Sequence, residues 1–272
     1  MKKFIAVVLV VCAVLTYKFY HPAKDRVLRV GMECDYAPNN WEEPRESDSN
    51  VPLVNNPGYY AEGYDVQIAK HIAHELDADL EVYKLSWQEL IPALNEGRID
   101  AILSGMLDTD SRKEKIAFSV PYELNKTEYT IIVNADSKYA NSKKLSDFAG
   151  AKILAQKDSN LDFVIDQIPG VIHMPPVVTV AETLQHVVNL DVDGLVINWD
   201  TGLSYERTYH NLRMIRFPDN EGFTHNFTGI CAGVRKEDTQ LLKEINDSIK
   251  GLSKRERQKI MDRAISRLWR SL

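Results

Sequence analysis

Residues 80–103 read LEVYKLSWQELIPALNEGRIDAIL, and this stretch decides the fold. Leu80–Leu85 reads as a strand. Ser86 and Glu89 then have the spacing of a capping box, in which each side chain satisfies the other residue's orphan amide at a helix start. The helix ends near Asn95-Glu96-Gly97, with Gly97 as its stop signal. Asp100–Leu103 is the next strand. Strand, helix and strand in this order imply a parallel sheet with helices on its faces.

The same scheme extends outward. Leu28–Gly31 reads as a strand, and Asp65–Leu76 carries Val66, Ala69, Ile72, Ala73 and Leu76 at helical spacing. A further helix starts near Asp110. A second unit repeats the plan, with strands at Ala151–Ala155, Val171–Met174 and Gly194–Asn198. Its helices are expected at Asn160–Gln167, from the capping box Thr179–Glu182 to Leu190, and at Asp200–Tyr209. Glu128–Asn134 and Gly229–Val234 are strand-like and run between the units, so the chain goes out and returns. The helices Asp238–Lys250 and Lys254–Leu272 then pack on the first unit. Val51–Tyr60, rich in Pro, Asn and Gly, reads as a loop insertion. Two units joined by two crossings leave a cleft, where small ligands bind, at the carboxyl ends of the strands.

The 272 residues suffice for two modest domains, and 44 % apolar with 26 % charged residues is ordinary for a folded chain. The net charge of −6 comes with no clustered basic face, so no nucleic-acid partner is expected. Lys2 and Lys3 precede an apolar run from Phe4 to Thr16, the pattern of an export signal or a retained anchor over residues 1–25. Cys12 follows Val11 and reads as an ordinary apolar residue of that segment. Cys34 and Cys231 are two buried thiols or a disulfide, with the thiols preferred. No Cys/His spacing suggests a metal, and no cofactor motif is present.

The loops after the strands carry the chemistry. They are Glu33-Cys34-Asp35-Tyr36-Ala37-Pro38-Asn39-Asn40-Trp41, the position of Trp87, Ser104-Gly105-Met106 with Arg112 beyond, and Phe118-Ser119-Val120-Pro121-Tyr122. With Gly63-Tyr64-Asp65-Val66, Ile91-Pro92-Ala93-Leu94, Gly97-Arg98-Ile99-Asp100 and Arg257-Gln258-Lys259-Ile260-Met261-Asp262, their order resembles the family 3, polar-amino-acid, solute-binding proteins of ATP-binding-cassette importers. The resemblance covers nearly everything after Val27. It implies an α/β, two-lobe periplasmic-binding-protein fold of type II, with lobe 1 at 26–127 plus 230–272 and lobe 2 at 134–224. Residues 128–133 and 225–234 are then hinge segments. The implied protein is a monomeric extracytoplasmic receptor that closes on a small amino acid or related carboxylate and delivers it to a membrane permease.

The resemblance also implies roles. Arg112 grips the ligand α-carboxylate, which a guanidinium fork matches in two bonds; otherwise it is a solvated helix arginine beside Lys113 and Lys115. Gly105 offers its carbonyl to the ligand amine, or is a plain turn glycine. Tyr36 and Trp87 sandwich the ligand side chain, or pack in a core. Glu33 contacts the ligand's polar end, with Ser104 and Met106 in the same wall. In the second unit Gln156, Ser159 and Asn160 form the loop before a helix start, where free amides favour anions; Ser159 is also a plain N-cap candidate. Trp41 walls the pocket or covers it.

Two departures stand out. Leu107 takes the place of a hydroxyl donor, and Asn198 that of the acid that pairs the α-ammonium. Asp200, two residues on, is a candidate substitute. Two other readings remain open: a cyclohexadienyl-dehydratase-like enzyme on the same fold, with Glu33, Asp200 and His225 as acid–base candidates, and a non-transport ligand sensor. His173, His186 and His210 read as surface or satisfied histidines.

Overall fold

The computed structural model describes residues 24–123, 128–224 and 229–271. The export segment, Cys12 and His225 lie outside the described residues. The first unit opens with β1 (Arg26–Met32), followed by the short strands β2 (Asp35–Tyr36), β3 (Asn40–Glu43), β4 (Val51–Pro52) and β5 (Tyr60–Glu62). Then come α1 (Tyr64–Glu75), β6 (Ala78–Lys84), a 3-10 turn at Trp87–Glu89 running into α2 (Leu90–Asn95), β7 (Ala101–Ile102), α3 (Asp110–Lys113) and β8 (Ala117–Phe118). The second unit holds β9 (Tyr129–Asn134), β10 (Lys152–Leu154), α4 (Asn160–Phe163), β11 (Ile172–His173), α5 (Val180–Val188), β12 (Gly194–Asn198), α6 (Trp199–Thr208) and β13 (Leu212–Met214). The chain returns through β14 (Gly233–Val234) and ends in α7 (Thr239–Gly251) and α8 (Lys254–Ser271).

The first sheet has the order β6-β1-β7-β14-β8. β1 runs parallel to both neighbours, with Val30 opposite Val82 and Ala101, and β14 is antiparallel. The second sheet has the order β11-β10-β12-β9-β13. β10 is parallel to β11 and β12, and β9 is antiparallel to β12 and β13. Parallel strands need crossover helices, and these cover both faces. On the first sheet α1 buries Val66, Ile68, Ala69, Ile72 and Ala73 on one side. On the other, α2 packs Leu90, Ala93 and Leu94 against Ile99, Ile102 and Met106. In the second unit α5 buries Val180, Leu184 and Val187.

Both capping signals hold locally. Ser86 N and Oγ both donate to Glu89 Oε2, at 3.2 and 2.7 Å, and Glu89 N bonds the Ser86 carbonyl at 2.9 Å. Thr179 caps α5 by accepting from Glu182 N at 3.1 Å, whereas Glu182 reaches back to Val178 N, one residue before the cap. The C-terminal helices pack on α1 as expected: His71 Nε2 lies 3.1 Å from Ser248 O, and Arg26 pairs with Glu244 at 2.6 Å.

The structure refines four expectations. Glu128–Asn134, expected to be strand-like and to run between the units, forms the interior strand β9 of the second sheet over Tyr129–Asn134. Gly233–Val234 likewise belongs to the first sheet. Val51–Tyr60 is not wholly a loop: its ends form β4 and the start of β5 in a small antiparallel sheet of order β2-β3-β5-β4. Pro52 fits there because β4 is an edge strand, which tolerates a residue without an amide donor. The helix from Asn160 is shorter than its pattern, passing into a 3-10 turn at Val164–Gln167.

Candidate functional site

Where β1 ends, the chain turns into Glu33 and Tyr36. The Glu33 amide donates to Ser104 Oγ at 2.9 Å, which ties this turn to the loop after β7. Glu33 is buried, and burial pushes its carboxyl up to about 8, with the nearby Asp35 adding and the Gln156 hydrogen bond opposing. The partner comes from the other lobe: Gln156 Nε2 donates to Glu33 Oε1 and, at 3.2 Å, to Val178 O.

The loop after β7 is built around Gly105. Its φ is +60°, and a Cβ there would lie 2.6 Å from the Tyr36 ring, so only glycine fits. Its amide faces the buried Asp65 carboxylate, which accepts from Tyr122 Oη and Asn40 Nδ2, each at 2.7 Å. Nothing in the local pattern marks Asp65 as this hub; its helical neighbours are apolar.

Arg112, in α3, is 9 % exposed. One guanidinium nitrogen donates to Leu107 O at 3.0 Å, and the group stacks on Trp87 with its carbon 5.0 Å from the ring centroid. Burial lowers the guanidinium to about 10, and no carboxylate pairs with it among the described residues. Trp87 in turn donates its indole N–H across the cleft to Asp158 O at 3.1 Å.

One cavity of about 30 Å³ collects most of the expected site. Glu33, Tyr36, Trp87, Gly105 and Arg112 line it from lobe 1. Gln156, Ser159, Asn160 and Asn198 line it from lobe 2. Leu107 and Leu161 complete the wall. Sequence reasoning missed Leu161, an apolar residue with no chemistry to announce it. Two expected residues do not reach this cavity. Ser104 is fully buried beneath it as the anchor of Glu33, and Met106 lies in the α2 core and borders a wider outer cavity of about 560 Å³. Ser159 Oγ does not cap its helix; it donates to Gln156 O at 2.6 Å and so braces the loop.

Asp200 does not substitute for the acid missing at Asn198. It faces Glu123, whose carboxyl is pushed well up by burial and by Asp200 itself. Trp41 bonds Glu43 at 2.8 Å and packs in the core, away from the cavity. Cys34 and Cys231 are separate buried thiols. His173 is held between Asp162 and Asp166, and His186 contacts Asp191. Among the described residues there is no metal-ligating cluster, and no helix long and apolar enough to cross a membrane.

Two α/β lobes enclose a small cavity between them, and a buried guanidinium with no carboxylate partner among the described residues lines it. The chain belongs to the bacterial extracellular solute-binding proteins, family 3, whose profile matches residues 28–266. It is 25 % identical over 233 residues to a putative ABC transporter arginine-binding protein 2 of Escherichia coli, covering 84 % of this chain and 85 % of that one. It is 26 % identical over 232 residues to a probable histidine-binding protein of Neisseria gonorrhoeae, at 82 % and 77 % coverage. Among solved structures, the arginine-bound form of truncated ArgBP from T. maritima matches with a TM-score of 0.69 at 26 % identity, covering 84 % of this chain and 96 % of that one. These relatives are named as binding proteins for amino acids, and the two-lobe solute-binding fold follows for this chain.

Proposed function

We propose that this chain is the extracytoplasmic receptor of an amino-acid importer, that it holds the ligand α-carboxylate on Arg112, and that it performs no covalent chemistry. The observation that carries the reading is the Arg112 guanidinium, buried with one carbonyl partner and no counter-charge. A desolvated charge without a partner is costly, and an anion in the cleft removes that cost. The Gly105 carbonyl and the Asn198 side-chain oxygen are acceptors for the α-ammonium. Tyr36 and Trp87 flank the rest of the ligand.

Lobe 1 comprises 26–127 with 230–272, and lobe 2 comprises 134–224 extended by β9. Closure about the segments between them shuts the cleft, and the closed form docks on the permease. The receptor works as a monomer without nucleic acid. The apolar run at Phe4–Thr16 supports export, with the N-terminus either removed or kept as a tether. Against an enzyme stands the wall of the cavity: Glu33 is its one carboxylate, it is already bonded by Gln156, and no histidine lines the cavity among the described residues.

A thermal-shift screen of amino acids tests this. A ligand at 100 times its Kd adds about 2.7 kcal/mol of stability. At least one amino acid raises Tm without turnover, and Arg112→Ala abolishes that shift. A shift that survives Arg112→Ala refutes the assignment.

A further inference from the structure

The relatives named above are named for arginine or histidine, yet the cavity between the lobes of this chain is small. The cavity is about 30 Å³, room for about two water molecules. Its floor is the Glu33–Gln156 hydrogen bond, and both partners are fixed from behind. The Glu33 amide is bonded to Ser104, and the Gln156 carbonyl accepts from Ser159 Oγ at 2.6 Å and Ser159 N at 3.3 Å. Gln156 is 4 % exposed, and its amide nitrogen serves two acceptors, Glu33 Oε1 and Val178 O. One step further out, Asp35 of lobe 1 faces Thr179 of lobe 2. The remaining lining at this level, Leu107 and Leu161, is apolar.

We propose that Gln156 is the specificity-determining residue of this receptor, and that by capping Glu33 it restricts the ligand to an α-amino acid with a short, uncharged side chain. The inference rests on the reading of Arg112 as the carboxylate anchor. A small ligand needs the lobes to loosen slightly but leaves the Glu33–Gln156 bond in place. A long basic side chain must instead displace Gln156 and strand its amide, and unpaired buried polar groups are what a binding site rejects most strongly. A second cation also has no counter-charge waiting. Glu33 is mostly protonated near neutral pH because of its burial, and Arg112 already places a positive charge in the same cavity.

The test is a calorimetric titration of the full chain with glycine, L-alanine and L-serine against L-arginine, L-lysine and L-histidine. The wild type binds at least one of the first three about tenfold or more tighter than any of the basic three. Gln156→Ala narrows or inverts that ratio by about tenfold, because it removes the cap and frees Glu33. Gln156→Asn, shorter by one methylene, moves the ratio in the same direction and serves if the alanine variant does not fold. A wild type that prefers arginine, lysine or histidine overturns the proposal while leaving Arg112 as anchor intact. So does an unchanged ratio in both variants. Binding of none of the six overturns this inference, and the thermal-shift screen of the other amino acids then decides the amino-acid reading separately.

Discussion

Glu33 decides how this site responds to pH. Its carboxyl titrates near 8 in the closed, ligand-free protein against 4.5 in water, chiefly through burial. Between those values the native state holds a proton that the unfolded chain has released, so stability falls as pH rises through that window and is flat above it. The slope is about 1.4 kcal/mol per pH unit for one such group. The Tm of the ligand-free protein should therefore fall from about pH 5 to about pH 8, and Glu33→Gln should remove this share of the fall. An unchanged slope in that variant would show that Glu33 is ionised in place. At this scale the sequence was readable where chemistry is local. Arg112, Gly105 and Trp87 belong to the ordered pieces that carry the family resemblance, and all three line the cavity. Ser104 and Met106 were not separable from Gly105, because successive residues leaving a strand point to opposite sides. The Glu33–Gln156 bond spans 123 positions and leaves no local mark.

Helix α1 shows what one element contributes to the site. It presents Asp65 in its first turn, fully buried, and donors from two different segments, Asn40 and Tyr122, converge there beside the Gly105 amide. The Tyr64 hydroxyl, beside it, donates to Tyr122 O at 2.8 Å, so α1 also holds the chain that leads out of lobe 1. Burial raises Asp65 to about 6 while those hydrogen bonds pull it down, and its pH effect has the same sign as that of Glu33. Asparagine at this position has one acceptor oxygen, and its amide would face another donor. Asp65→Asn should thus cost about 1–3 kcal/mol in urea unfolding. Tyr122→Phe, which removes one donor and leaves the carboxylate, should cost less. Equal losses would mean that the hub is not the carboxylate. The element itself was legible, since Val66, Ala69, Ile72 and Ala73 mark its buried face at helical spacing. Its polar role was not, since a carboxylate in a first turn reads equally as a favourable charge near the helix dipole.

At the level of the whole molecule, the two lobes are held shut by contacts that need no ligand. Trp87 reaches Asp158 O, Gln88 reaches Lys157 O at 3.3 Å, and Gln156 reaches Glu33. The two-lobe plan followed from the βαβ pattern repeated twice, but which residues meet across the cleft depends on how the lobes rotate, and no periodicity encodes that. Glu123 and Asp200 add a further link. Glu123 stands at the end of lobe 1's outgoing segment and Asp200 in the first turn of α6 of lobe 2, and the two carboxyls face each other. Such a pair holds only while one member keeps its proton, which burial of Glu123 favours. Where both are ionised, two carboxylates face each other between the lobes. The protein should therefore expand in solution X-ray scattering as the pH is raised. Glu123→Gln, which keeps a donor to Asp200 and cannot ionise, should reduce the expansion, and together with Glu33→Gln should remove most of it. An expansion of the same size in the double variant would place the pH-sensitive contact elsewhere.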